Sequence, residues 1–266
     1  MHHYVLKSIQ RQTNRSLLVI LVNCILAILL NLYFGLIGSY QAQLQDLAAN
    51  TAIKCTITNS DGSRDKAISI SSDIIRVLQD SKYITDLDCS VIMQAGIGEF
   101  ASEDWDQHLD LTVRAVNKRD SEVFSDELEL QYVKGWDETL FTGDERVCLL
   151  KKSDMEKRGY ACGDKITLTI YYFQYAEKGY QIDLKELQPI QLKIVGQIDD
   201  SDPLTSPNYP NVLLPFQAAW DMVEENHADF TADEVSFYVK DPLALNAFKQ
   251  EMREAGLVEI TEGYGR

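Results

Sequence analysis

An uncharged, mostly apolar run spans residues 17–38. About 20 apolar residues let a helix cross the hydrocarbon core of a bilayer, and a helix satisfies its own backbone hydrogen bonds there. The run therefore predicts a transmembrane helix. The alternative is a cleaved signal peptide, whose apolar core is about 7–15 residues and is followed by small residues. This run is longer and ends near Tyr33, Phe34 and Tyr40, which favours a retained anchor.

Charges that flank the run predict its orientation. Lys7, Arg11 and Arg15 precede it, and no acidic residue occurs before Asp46. Basic residues favour the cytoplasmic side of a membrane. We therefore expect a cytoplasmic N-terminus in the cell membrane, with residues 40–266 extracytoplasmic.

Periodic patterns predict a first α/β segment after the run. Residues 39–50 carry apolar side chains at spacings of four and three, typical of a helical stalk. Residues 52–59 and 83–93 predict strands. Between them, Ser71 or Ser72 predicts the N-cap of a helix. The strand–helix–strand order predicts a βαβ unit.

The middle of the chain predicts a second, mostly β region. Residues 117–146 are charged and irregular, so we place a subdomain boundary near them. The strands predicted around this boundary are residues 109–116, 147–150, 166–172 and 190–198, the last broken at Gly196, and a helix is predicted over residues 216–223.

The last segment predicts a strand followed by a capped helix. Apolar residues alternate from 235 to 239, Asp241 is a good N-cap, and Pro242 suits the first helical position. Gly256 is expected at the C′ position, and a further strand is expected over residues 257–260.

This last strand–helix segment is expected to pack beside the predicted βαβ unit, because one βα unit leaves an apolar sheet face and an apolar helix stripe to bury. Both helices should lie on one face of a single sheet. The two stripes are Ile74, Ile75 and Leu78 on one helix and Leu245, Phe248 and Met252 on the other.

The net charge of −16 bears on partners. A field of that sign repels phosphate backbones, so we expect no nucleic-acid partner. Cys24 lies in the membrane run, and four other cysteines lie outside it. In an oxidising compartment we prefer the local pairs Cys55–Cys89 and Cys148–Cys162, with four reduced thiols as the alternative.

Two short motifs predict neither a metal site nor a nucleotide-binding site. Asp199, Asp200 and Asp202 lack the spacing of a calcium loop and predict an exposed acidic loop. Gly96 and Gly98 lack the third glycine of a dinucleotide fingerprint, so a turn or bulge is expected.

Histidines and motif searches also predict no reaction centre. The four histidines show no H-E-x-x-H spacing, and the sequence contains no G-x-S-x-G or Walker A pattern; they are His2, His3, His108 and His227. We predict no catalytic, cofactor-binding or metal site, no cofactor and no enzyme. Asn23 and Asn31 in the membrane run are expected to bond to a neighbouring helix, to be tolerated near the helix ends, or to bond locally.

Four segments together resemble a known family. They are Asn14-Arg15-Ser16-Leu17 before the membrane helix, the predicted βαβ unit, Gly163-Asp164-Lys165-Ile166-Thr167-Leu168, and the strand, Asp-Pro and helix of residues 235–255. Their order resembles the first transmembrane helix and extracytoplasmic domain of ABC-transporter permeases of the MacB/FtsX/LolC type.

The resemblance implies an α+β fold in which a split porter-like α/β domain carries an inserted mostly-β subdomain. The implied segments are a cytoplasmic N-terminus (1–16), a transmembrane helix (17–38), a stalk helix (39–50), a first porter half (51–118), the inserted subdomain (119–228) and a second porter half (229–266).

The resemblance also implies a non-catalytic role, in which a separate ABC ATPase drives motion that a homo- or heterodimeric permease transmits to export or to an envelope partner. That family has at least three further membrane helices after this domain. We therefore expect the chain to be a fragment, a truncated gene product or a trimmed piece. The alternative function is a single-pass membrane sensor or binding module, and an extracytoplasmic enzyme ranks third.

Overall fold

The computed structural model describes residues 13–59, 61–98, 109–121, 124, 128–175, 182–201 and 209–257. These residues divide into two compact units. The first holds the N-terminal helix up to Ala52 together with Asp241–Leu243, and the second, here called the domain, holds Ile53–Lys240 and the residues from Ala244 onward. The fold class is α+β, with an apolar N-terminal helix followed by a mixed sheet and its helices.

Helix α1 spans Thr13–Asn50 without a break. Side chains from Leu17 to Asp46 are exposed along its whole circumference, and the segment is long and apolar enough to cross a membrane. Such a helix needs lipid or protein around it, because water solvates an apolar surface poorly.

The domain holds twelve strands, four α-helices and two short 3₁₀ turns among the described residues. The elements are β1 (Ile53–Thr56), β2 (Ile70–Ser71), α2 (Ser72–Asp80), β3 (Ile84–Ile97), β4 (Leu111–Val116), β5 (Glu129–Tyr132), a 3₁₀ turn (Glu138–Thr142), β6 (Val147–Lys151), α3 (Lys152–Arg158), β7 (Lys165–Tyr175), β8 (Ile182–Glu186), β9 (Ile190–Asp199), β10 (Val212–Pro215), α4 (Phe216–Glu225), β11 (Thr231–Ala232), β12 (Glu234–Val239), a second 3₁₀ turn (Pro242–Ala244) and α5 (Leu245–Glu254).

The first strands form a split βαβ unit, which corrects the simple βαβ prediction. Strand β12 lies between β1 and β3 and is antiparallel to both, so β1 and β3 run parallel without touching. The last strand of the described residues therefore completes the sheet that their first strand begins. Periodicity alone cannot reveal an inserted strand that comes about 180 residues later.

Helices α2 and α5 lie on the same face of this sheet, as predicted. Ile75 and Leu78 of α2 are buried in one core with Phe248 and Met252 of α5. The Phe248 ring also meets that of Phe237 on β12 at 5.5 Å between centroids. Two helix stripes that would each be exposed alone thus cover one sheet face.

The ends of these helices follow the predicted caps in part. Ser71 is the N-cap of α2 in extended conformation, but its side chain makes no capping hydrogen bond. Asp241 Oδ1 accepts the Leu243 N–H at 2.8 Å at the start of the 3₁₀ turn before α5. Gly256 adopts φ +94°, the left-handed conformation expected just after a helix.

Six strands close into a barrel-like ring. The ring runs from β3 through β4, β10, β6, β9 and β7 and returns to β3. Closure removes free strand edges, which otherwise invite association. Strand β3 belongs to both parts of the domain, because its first half pairs with β12 and its second half with β7.

A second core covers part of the outer surface of this ring. Val116, Leu149, Ile198 and Leu213 point away from the ring interior and pack with Leu128 and Phe141 of the segment before β6. Sequence patterns did not predict β5, which pairs with β9 here, because this short strand is only half apolar.

Strand β9 is not broken at Gly196, contrary to the prediction. It continues to Asp199, and the irregularity falls in its pairing with β6 instead. A Cβ on Gly196 would collide with the Gln131 carbonyl oxygen and would lie 3.2 Å from Leu149 Cδ2. Glycine is needed here because the backbone of β5 lies too close to Gly196 to leave room for a side chain.

The strands of the predicted insertion pair directly with β3 and β4 in one sheet. The subdomain boundaries at residues 118 and 228 stay a prediction. A further strand was predicted over residues 257–260, and residues 258–260 of it lie outside the described residues.

Candidate functional site

The two asparagines of the membrane run bond locally. Asn23 Nδ2 donates to the Val19 carbonyl and Asn31 Nδ2 donates to the Ala27 carbonyl, both at 2.8 Å. These bonds match the local alternative of the prediction. They reduce the cost of placing an amide in hydrocarbon.

A buried carboxylate fills the gap between β12 and β7 along β3. Both strands pair with the same side of β3, which leaves the Ile92 N–H between them without a strand partner. Asp233 Oδ2 accepts that N–H at 2.5 Å, and the Asp233 N–H donates to the Ser90 carbonyl at 2.9 Å. Asp233 therefore joins the split βαβ unit to the ring.

The Asp233 carboxyl is poorly satisfied for so buried a group. Its side chain is 1% exposed, and Oδ1 has no hydrogen-bond partner among the described residues. Burial raises the pKa of Asp233 to about 7, against the lowering effects of the Ile92 N–H and Arg114. The carboxyl thus changes charge near neutral pH, which is uncommon for an aspartate.

A cavity of about 230 Å³ opens on the sheet face opposite α2 and α5. Its floor is the outward-facing row in which Thr56, Ser236 and Asp88 lie opposite one another on β1, β12 and β3. Asp65 and Lys66, from the loop between β1 and β2, line its side. The cavity is mostly polar because alternate residues of these strands face the core.

Charges of both signs line this cavity. Glu234 lies 3.6 Å from Lys66 Nζ and 3.9 Å from Arg114, both longer than a close charge-assisted hydrogen bond. Asp88 accepts the Ser121 hydroxyl at 2.7 Å and lies 3.9 Å from Lys118. The deeper charges are therefore acidic and paired, while Lys66 stays mostly exposed.

The cavity floor also contains a buried hydroxyl without a partner. Ser90 is 1% exposed, lines the cavity, and lies directly opposite Glu234 in the β3–β12 pairing. No described residue bonds to its Oγ. Sequence reasoning missed Ser90, Asp233 and Glu234; the only hint was the acidic doublet just before an alternating strand.

The predicted disulfide Cys55–Cys89 is wrong. Both thiols are free, and β12 lies between their strands, with Phe237 opposite Cys55 and Val235 opposite Cys89. Two strand spacings are roughly 10 Å, beyond the 4.4–6.8 Å that a disulfide needs between Cα atoms.

The second predicted pair, Cys148–Cys162, is wrong for a similar reason. Ile194 of β9 pairs with Cys148 on one side and bonds Gly163 and Asp164, next to Cys162, on the other. Cys148 is buried and Cys162 is exposed, and both are free thiols. Burial raises the pKa of Cys148 to about 12, which keeps it protonated and unreactive.

The weak motifs lie apart from the cavity. Hydrogen bonds from Ser201 hold the pKa of Asp199 below its usual value, and Asp200 accepts the Ser153 N–H at 3.2 Å. Asp202 lies outside the described residues, as do His2, His3 and His108. The described residues contain no group of three or more His, Cys, Asp or Glu arranged to hold a metal. Gly98 follows β3 with φ +92°, as a turn requires, whereas Gly96 pairs with Thr169 inside β3.

Comparisons with known proteins address the fold. No protein-family model and no curated protein matches the sequence. Among solved structures, the chain is similar to the periplasmic region of MacB from Actinobacillus actinomycetemcomitans, at 11% identity and a TM-score of 0.41, over 78% of this chain and 83% of that one.

Two further structures show comparable similarity. The extracellular domain of the noncanonic ABC-type transporter YknZ from Gram-positive bacteria has 14% identity and a TM-score of 0.42, over 79% of this chain and 97% of that one. A domain assigned to a permease protein from Porphyromonas gingivalis has 13% identity and a TM-score of 0.40, over 76% and 82%.

Proposed function

We propose that the chain is the first membrane-spanning helix and the extracytoplasmic domain of an ABC-transporter permease of the MacB/FtsX/LolC type. Strand β12 pairs with β1, and this observation carries the proposal. A domain in which the first and last described strands are neighbours can be inserted between two membrane segments without disturbing either. The order of the four sequence segments named above supports the same reading.

In this proposal the domain is not an enzyme and serves to transmit motion. Residues 1–16 face the cytoplasm, residues 17–38 span the cell membrane, and the rest lies outside. A separate ABC ATPase moves the membrane helices, and β1, three residues after the end of α1, receives that motion. The partners are the ATPase, a second permease subunit that forms a homo- or heterodimer, and the bilayer.

Thiol labelling tests the orientation. Cys162 is exposed, whereas Cys89 and Cys148 are buried, so a membrane-impermeant maleimide should label mainly Cys162 in intact cells. The Cys162→Ser variant should lose most of that label. Labelling of Cys162 only after the cells are permeabilised would show that the domain faces the cytoplasm.

Purification from native membranes tests the partner. An antibody against the outer domain should recover vanadate-sensitive ATP hydrolysis together with an ABC ATPase identified by mass spectrometry. The control is a chain in which residues 1–50 are replaced by an unrelated membrane helix, which should recover neither.

The alternative is a single-pass sensor or binding module, and the polar cavity favours it. In that case the same purification should recover the chain without an ABC ATPase. That result would reject the permease proposal.

A further inference from the structure

The cavity on β1, β12 and β3 has a loose ion pair at one side. The Lys66 ammonium lies 3.6 Å from Glu234 Oε2, and the Lys66 side chain is 66% exposed. Exposed pairs of this length hold their partners weakly. Lys66 can therefore turn toward another anion, provided that another cation reaches Glu234.

The floor beside Glu234 has an unused hydrogen-bonding group. Ser90 Oγ is buried and without a partner among the described residues, and Ser90 is the cross-strand neighbour of Glu234. Directly opposed side chains in an antiparallel pair start about 5 Å apart. A donor group held at Glu234 would thus also be within reach of the Ser90 hydroxyl.

The charges around the cavity select for a ligand that carries both signs. A purely anionic ligand would meet Asp88 and Glu234 at the floor, and a purely cationic one would meet Lys54 and Lys66. Unpaired charges are costly where water is partly excluded. A zwitterion avoids this cost, because it replaces one ion pair by two.

We propose that this cavity binds a small zwitterionic amino compound, such as an amino acid or a short peptide. Its ammonium group would bond to Glu234 and the Ser90 hydroxyl, and its carboxylate would bond to Lys66. Thr56 and Ser236 also line the floor. This inference goes beyond the permease proposal and stands whether or not an ATPase binds the chain.

Calorimetric titration of the full chain in lipid nanodiscs tests the inference with three matched probes. The probes are diglycine, which is zwitterionic, N-acetylglycine, which is only anionic, and glycinamide, which is only cationic. Diglycine should bind. The affinity of each single-charge probe should be lower by about tenfold or more, since each lacks one charge-assisted contact.

Variants assign the contacts. Ser90→Ala should weaken diglycine binding and leave the thermal stability unchanged or raised, because it removes a buried hydroxyl without a partner. Glu234→Gln should weaken diglycine and glycinamide but not N-acetylglycine. The control Ser63→Ala alters an exposed turn hydroxyl outside the cavity and should change no affinity.

Three results would overturn the inference. The first is that diglycine does not bind the folded chain, and the second is that it binds no better than the single-charge probes. The third is that Ser90→Ala, shown to be folded by its thermal transition, binds diglycine as the unmodified chain does. Loss or recovery of an ATPase in the purification above has no bearing on these outcomes.

Discussion

Replacing Asp233 by asparagine tests the ionisation of the carboxyl that is buried between the split βαβ unit and the ring. Asparagine keeps an oxygen that can accept the Ile92 N–H and has nearly the same shape, but it carries no charge. The change therefore removes the buried charge and leaves the backbone bond in place. Any pH-dependent difference between the two proteins then reports the ionisation of Asp233.

The magnitude follows from the raised pKa of Asp233. The folded value is about 7, and the ordinary value is 3.8. The folded state holds its proton where the unfolded chain has lost it, so this carboxyl's contribution is fully present below about pH 4 and is lost as the pH rises through 7. A pKa difference of about three corresponds to about 4 kcal/mol in total, of which about 3 kcal/mol is lost between pH 5 and pH 8.

The assay is urea unfolding of both proteins between pH 5 and pH 8. We expect the stability of Asp233→Asn relative to the unmodified chain to rise across this range, with most of the change below about pH 7.5. Asp137→Asn is the control. Hydrogen bonds from Thr139 lower the pKa of exposed Asp137, so it stays ionised throughout the range and should give a constant difference. A constant difference for Asp233→Asn as well would show that its carboxyl is hydrated or paired, and would refute the raised pKa of Asp233.

Three further predictions concern packing and thiols. Phe248→Ala should cost roughly 3–5 kcal/mol and should weaken amide protection across residues 53–93 as well as in α5; loss confined to α5 would contradict the shared core. Gly196→Ala should destabilise by about 1–3 kcal/mol, measured by urea unfolding, because β5 must move away, and an unchanged midpoint would contradict the close approach. Alkylation of the native chain should modify Cys162 quickly and Cys148 only after unfolding, as followed by mass spectrometry, whereas equal rates would contradict the burial of Cys148.

Local patterns were sufficient for the elements that depend on nearby residues. The uncharged run predicted α1, because crossing a membrane depends on length and composition along one segment. Alternation predicted β4, β7 and β12, because each buries one face against a core. Asp241 and Gly256 marked the region of α5, because caps act over only a few residues.

Patterns failed where a distant segment intervenes. The split βαβ unit depends on β12, and the same strand separates Cys55 from Cys89. A short separation along the sequence suggested the two disulfide pairs, Cys55–Cys89 and Cys148–Cys162. The distance between their Cα atoms depends instead on the order of the strands. Likewise, Gly196 was expected to break a strand, whereas its role is to admit the Gln131 carbonyl.

The candidate site could not be predicted from the sequence for the same reason. Ser90, Asp233 and Glu234 are ordinary polar residues when they are read along the chain. They become unusual only because β3 changes partner from β12 to β7 and buries a carboxylate and a hydroxyl beside that change. Burial of a polar group without a partner is a property of the packed structure, because desolvation depends on all the segments that exclude water from one place.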